Sequence, residues 1–262
     1  MYVTVNNTKI FAATGGREFD PSQPTILFLH GAAMDHTAWA LQSRYMAHHG
    51  FNVFALDLVG HGKSGGEIPA SIDELADSVI AFMDAMELKE AALVGHSMGA
   101  LTALSAAGRY QDRVSAVVMI GIAYPMMVGE AFLQKAREND PAAYQMMIDW
   151  SHARPSHRGA AEVPGLWMIG NALRVVEKSG KDTLYKGLSI CAGYDGGFEA
   201  AQNLKAPALF ILGDKDMMTM PRAAQKLIAA IDGQKTVMLK DCGHMQMIEK
   251  AADVRSALIE FL

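Results

Sequence analysis

Apolar and polar positions along the chain follow two alternating periods. Short runs rich in aliphatic and β-branched residues occur at Thr25–Leu29, Phe51–Leu58, Ala91–Gly95, Val114–Ile120, Ala208–Leu212 and Thr236–Leu239. Their length and mainly apolar composition predict strands buried on both faces, as in a parallel sheet. Between most of them the period lengthens to that of an amphipathic helix. The clearest case is Ile72–Met86, where Ser71 and Glu74 fit a capping box that satisfies free N–H groups of the first turn. Strand and helix in alternation predict a mainly parallel, doubly wound sheet. At the start, Tyr2–Val5 and Lys9–Ala12 flank Asn6-Asn7, a pair that tolerates positive φ, so a hairpin should add antiparallel strands at one edge.

The alternation stops between about residues 121 and 205. This stretch carries helical patterns at Glu130–Asn139, Ala142–His152, Gly165–Lys178 and Thr183–Cys191, separated by Pro141, Pro155, Pro164 and Gly180. Because strand-like sequence resumes at Ala208, residues 121–205 are expected to be a helical cap inserted into a core made of residues 1–120 and 206–262.

Composition narrows the function classes. A chain of 262 residues, 50% of them hydrophobic, can bury one sizeable core. A net charge of -5 leaves no surplus of Lys and Arg to neutralise phosphates, so no nucleic-acid partner is expected. The most apolar stretch, Ala116–Val128, is interrupted by Gly121, Tyr124 and Pro125 and falls short of the roughly 20 residues of a spanning helix, so no membrane partner is expected either. The first residues have neither a basic nor an apolar leader region, which makes a cytoplasmic location the expectation. Cys191 and Cys242 are far apart and form no CxxC pair, so neither a disulfide framework nor a zinc cluster is suggested.

The sharpest chemical signal is Gly95-His96-Ser97-Met98-Gly99, which follows an apolar strand and precedes the small-residue helix Ala100–Gly108. This is the setting of a nucleophile elbow. Turning from strand to helix so abruptly strains the serine backbone, and glycines two positions to either side remove Cβ atoms that would collide. Ser97 is therefore the candidate nucleophile. A serine hydroxyl needs a base. Of nine histidines, only His244 lies beyond both Ser97 and the last candidate acid, in a loop after Thr236–Leu239. The loop after Ala208–Leu212 offers two acids, Asp214 and Asp216.

Here the chain resembles the α/β-hydrolase family, whose acid commonly stands in a Gly-x-x-Asp turn shortly before a proline. Gly213-x-x-Asp216 with Pro221 matches, which implies Asp216 as the acid and leaves Asp214 as a turn carboxylate. His30-Gly31-Ala32-Ala33 resembles the family's oxyanion loop, implying that backbone N–H groups of Ala32 and Met98 face the developing negative oxygen. Asp57-Leu58-Val59-Gly60-His61-Gly62-Lys63-Ser64 resembles a family turn with Val59 in place of the usual proline, and is read as structural. Its Gly-Lys-Ser ending is not a phosphate-binding loop, because that pattern needs glycine where Asp57 stands.

The resemblance covers roughly residues 20–125 and 200–262. It implies an α/β-hydrolase fold, an eight-stranded, mainly parallel, doubly wound sheet with an inserted helical cap. No cofactor and no metal are implied, since nucleophile, base and oxyanion donors all come from the chain. Haloalkane dehalogenases and epoxide hydrolases of the family have aspartate at the nucleophile position, so Ser97 argues against both. Carbon–carbon bond hydrolases often have a glycine-rich run after the oxyanion His-Gly, and cofactor-free perhydrolases an aromatic residue; Ala32-Ala33 resembles neither. The implied activity is a serine esterase acting through a Ser97–His244–Asp216 triad and an acyl-enzyme. Thioesterase, lactonase, carbon–carbon hydrolase or lyase chemistry on the same triad, and a non-catalytic ligand receptor, stay open. So does self-association into a homodimer. In the cap, Met126, Met127, Met146, Met147, Trp150, Trp167 and Met168 are expected to supply an adaptable apolar wall for a small neutral acyl substrate.

Overall fold

The computed structural model describes residues 1–159 and 162–262; Ala160 and Ala161, inside the expected cap, lie outside the described residues. Its strands are β1 (Tyr2–Val5), β2 (Thr8–Ala13), β3 (Thr25–Leu29), β4 (Asn52–Leu56), β5 (Ala91–His96), β6 (Val114–Ile120), β7 (Ala208–Gly213) and β8 (Lys235–Leu239). They form one eight-stranded sheet in the order β1-β2-β4-β3-β5-β6-β7-β8. The pairs β1/β2 and β2/β4 are antiparallel and every other pair is parallel. The first hairpin turns through Asn6 and Asn7, both at positive φ.

Helices α1 (Ala40–Ala47), α2 (Ile72–Ala85) and α3 (Met98–Arg109) connect the parallel strands as far as β6. Between β6 and β7 run α4 (Glu130–Arg137), α5 (Pro141–Ser151), α6 (Arg154–His157), α7 (Met168–Lys178), α8 (Thr183–Ala192) and α9 (Gly197–Gln202). Then α10 (Pro221–Ala230) links β7 to β8, and α11 (Gln246–Glu249) and α12 (Ala251–Phe261) close the chain.

The continuous apolarity of the central strands has a simple cause: successive side chains point to opposite faces, and both faces are covered. Leu27 and Leu29 of β3 join a core with α2, α3 and α9, while Ile26 and Phe28 join a second core with α12 and part of the β6–β7 insertion. Among the described residues no helix is long and apolar enough to cross a membrane.

The expected helices of the insertion appear within a few residues of their expected limits, together with α6 and α9, which the sequence did not indicate. Pro155, read as a breaker, occupies the first turn of α6, where its missing N–H costs nothing. Pro141 opens α5 in the same way, beside a carboxylate cap from Asp140 to the Ala142 N–H. Helix α9 lies against α3, so closely that a Cβ on Gly108 would sit 2.6 Å from Cα of Ala200. It belongs with the helices covering the sheet, and the set grouped around α4, α5 and α7 ends with α8 at Ala192.

Candidate active site

Ser97 stands between the end of β5 and the start of α3 with φ 54 and ψ -116, a backbone conformation that L-residues rarely adopt. The flanking glycines are required sterically: a Cβ on Gly95 would lie 2.0 Å from the Gly99 carbonyl oxygen, and one on Gly99 would lie 2.2 Å from that of Leu29. Strand, elbow and helix can be this close only with bare backbone. Met98 is the first residue of α3, so its N–H has no acceptor within the helix.

Asp216 lies in the turn after β7 and is buried. Its Oδ1 accepts the Met218 and Thr219 N–H groups, each at 2.8 Å. Its Oδ2 accepts the Thr219 hydroxyl at 2.7 Å, His244 Nδ1 at 2.8 Å and the Gln246 amide at 3.3 Å. Burial pushes this carboxyl up, but the neighbouring His244 and the hydrogen bonds from His244 and Thr219 outweigh it and hold the group below the ordinary carboxylate value. A carboxylate at Nδ1 assigns that nitrogen as the donor, leaving Nε2 as the imidazole's acceptor. Asp214 is more exposed; it pairs with Lys215 at 3.0 Å and accepts the Cys242 N–H, as a turn carboxylate does.

His244 is held near the elbow. Its ring centroid is 4.5 Å from that of His96, whose Nε2 donates to the His244 carbonyl at 2.8 Å. The Ser97 N–H donates to Ile120 of β6, and a Cβ on the next residue, Gly121, would sit 3.0 Å from His244 Nδ1. Among the described residues Ser97 Oγ makes no hydrogen bond to His244; such contacts commonly tighten only around bound substrate.

The loop after β3 is fixed by His30. Its Nδ1 donates to the Gly31 carbonyl at 2.8 Å and its Nε2 accepts the Leu58 N–H at 3.1 Å. Burial, then the neighbouring His61, pulls His30 down to about 3, so it serves as a neutral brace. Ala32 follows, and among the described residues its N–H donates to no other group. Asp35, His36 and Asp57 could bring ligand atoms within 4.8 Å of one another. The Asp57 carboxylate, however, is already occupied by the His36 N–H, His36 Nδ1 and the Lys63 N–H. These contacts fold the 57–64 stretch into a loop and leave it as a brace.

Above Ser97 lies a cavity of about 140 Å³ whose wall includes Ala32, Met126, Met127 and Trp150. The other apolar candidates go elsewhere. Met147 is buried in the core on the α12 side of the sheet, and Met146 packs against it. Met168 faces a separate groove of about 440 Å³ beside Met34. Trp167 is 71% exposed and lies over Gly170. Sequence reasoning missed Phe132 of α4, Leu188 and Cys191 of α8, and Met217 to Thr219 after the acid. Leu188 and Cys191 carried a usable signal, because residues three apart share one helix face. A larger cavity of about 600 Å³, bordered by Arg154 and Arg222, shares Met217 with this one.

A family model described as alpha/beta hydrolase fold matches residues 24–165. The chain belongs to the alpha/beta hydrolase fold family. Membership supports a hydrolase. The acetyltransferase component of the acetoin cleaving system of Pseudomonas putida is 27% identical over 256 residues, covering 90% of this hydrolase-fold chain and 63% of that protein. The chain thus spans less than two thirds of that relative. Epoxide hydrolase A of Mycobacterium tuberculosis is 24% identical, with 99% of this chain and 96% of the relative covered. Among solved structures, the enol-lactonase from Burkholderia xenovorans LB400 superposes with a TM-score of 0.86 at 25% identity, covering 100% of this chain and 99% of its own.

Proposed function

We propose that this hydrolase is a serine esterase for small neutral acyl groups, working through an acyl-enzyme on Ser97. The observation that carries this reading is the strained Ser97 under an apolar cavity, with the buried Asp216–His244 pair beside it. His244 Nε2 takes the Ser97 proton as the oxygen attacks the carbonyl, and Asp216 holds the imidazole in the tautomer that makes this possible. The oxyanion that forms is received by the N–H groups of Ala32 and Met98. His244 then passes its proton to the leaving alcohol, and water releases the acyl group by the same steps in reverse.

Among the described residues, none that lines the cavity carries a charge, which favours a neutral acyl group over an anionic one. Helices α4, α5 and α8 serve as its cap. A lactone is an ester closed on itself and suits the same machinery, so the full-length likeness to an enol-lactonase makes lactone hydrolysis the second reading. Likeness to epoxide hydrolases carries less weight, because Ser97 occupies the position where that group has aspartate.

The test is Ser97→Ala with a p-nitrophenyl ester and a fluorophosphonate probe. The expected result is a fall in kcat by about a millionfold together with loss of labelling. Labelling at another residue, or undiminished hydrolysis, would overturn the assignment. A parent protein that binds acyl compounds without turnover would make it a receptor.

A further inference from the structure

Glu249, at the end of α11, is buried, and its carboxylate sits where three donors from two parts of the chain converge. Its Oε1 accepts the N–H of Gly243 at 3.0 Å, and its Oε2 accepts the N–H of Ala153 at 2.9 Å and the hydroxyl of Ser156 at 2.6 Å. A carboxylate, with two oxygens that accept, suits three donors; a side-chain amide, with one oxygen and an NH₂ that donates, does not. Gly243 immediately precedes His244. Ala153 and Ser156 belong to the corner between α5 and α6.

The same corner holds His244 from its other side. Ser151, the last residue of α5, has a carbonyl without an intrahelical partner, and it accepts the N–H of His244 at 2.8 Å and of Met245 at 3.1 Å. The approach is so close that a Cβ on Gly243 would lie 2.6 Å from the Ala153 nitrogen and 2.7 Å from Glu249 Oε1. The loop bearing the base is therefore bound to the helical insertion on both sides of His244. Among the described residues no Lys or Arg forms an ion pair with Glu249.

We propose that Glu249 is a positioning residue for the general base, clamping the His244 loop to the α5–α6 corner so that the insertion sets where the imidazole stands over Ser97. This rests on His244 being the base of a serine hydrolase. The insertion then does more than wall the pocket: a displacement of α5 moves the base as well.

The experiment compares the parent, Glu249→Gln and Ser156→Ala by steady-state kinetics on a p-nitrophenyl ester, the rate of fluorophosphonate labelling, and the thermal midpoint. Misplacing a catalytic group by about 1 Å costs up to a hundredfold, so Glu249→Gln should lower kcat by about ten- to a hundredfold. KM should stay within about twofold of the parent value, and labelling should slow by the same factor as kcat. Ser156→Ala removes one donor of three and should lower kcat less. Combined with Glu249→Gln it should add little, as expected for partners in one network. A folded Glu249→Gln protein with the parent's kcat and labelling rate overturns the clamp, even if its thermal midpoint falls. Should Glu249→Gln not fold, Ser156→Ala decides, and an unchanged kcat there overturns the clamp. A parent that is not labelled at Ser97 would instead overturn the serine-hydrolase reading itself.

Discussion

Replacing Asp216 by Asn changes the hydrogen-bonding character of one atom and almost nothing of its size. The two backbone N–H groups at Oδ1, from Met218 and Thr219, cannot reverse their polarity, so the amide oxygen must stay on that side. The NH₂ then takes the place of Oδ2, facing the Nδ1–H of His244 at 2.8 Å. Thr219 can rotate its hydroxyl to accept, but the imidazole can escape the clash only by moving its proton to Nε2. In that tautomer Nε2 has no lone pair for the Ser97 proton. The expected loss is about ten-thousandfold in kcat, which is about 5.5 kcal/mol of transition-state stabilisation. Asp214→Asn is the internal control: its oxygen can still accept the Cys242 N–H, and its ion pair is with a half-exposed Lys215, a kind worth at most about 1 kcal/mol, so kcat should stay within about fivefold. Both variants are assayed for p-nitrophenyl butyrate turnover and for denaturation midpoint. A folded Asp216→Asn protein that keeps more than about a tenth of the parent's kcat would refute the argument. Death of the Asp214 variant alone would move the acid to that residue.

Two further outcomes are expected. Buried histidines should make the fold acid-sensitive: burial holds His30 at about 3 and His61 at about 4, whereas the unfolded chain takes up these protons near 6.5. For a base with a depressed folded value, stability is complete above about pH 6.5 and is lost as pH falls towards 4. At pH 5 these two together cost about 4 kcal/mol, a large part of a typical 5–15 kcal/mol, and equal urea midpoints at pH 7 and pH 5 would refute this. The cavity of about 140 Å³ equals roughly five water volumes of about 30 Å³ each, so kcat/KM should rise by up to about fourfold per methylene from acetate to butyrate and stop rising by octanoate. A steady rise through decanoate, or preference for a succinate hemi-ester, would refute a small neutral pocket.

The central strands were legible because they are covered on both faces and therefore read as apolar runs, and the first hairpin because Asn6-Asn7 supplies its positive φ; β8, expected to be buried as well, is an edge strand with only Leu239 buried. Ser71 caps α2 as its spacing indicated, although Glu74 reaches back to the Ala70 N–H and not to that of Ser71. The elbow could be read because sterics leave few sequences that fit it. The pocket wall was not so open to reading. Helical periodicity identifies an apolar face but not what it meets, so Met147 turns to the core and Met168 to another groove while Trp150 reaches the cavity. Helix α9, at six residues, is too short to show a period. Thr219, Gln246 and Glu249 escaped notice for another reason: a polar residue's task is set by the donors or acceptors brought to it by distant parts of the chain, and no local pattern encodes that.

Among the described residues, the cavity over Ser97 and the larger one beside Arg154 and Arg222 have Met217 in common. An unbranched, freely rotating thioether thus borders both spaces at their shared edge. A change in that side chain alters the wall of both spaces and replaces none of Ser97, Asp216 and His244. In such a molecule substrate range and bond-breaking power are inherited separately. A change at Met217 can therefore alter which substrates fit without touching the residues that break the bond.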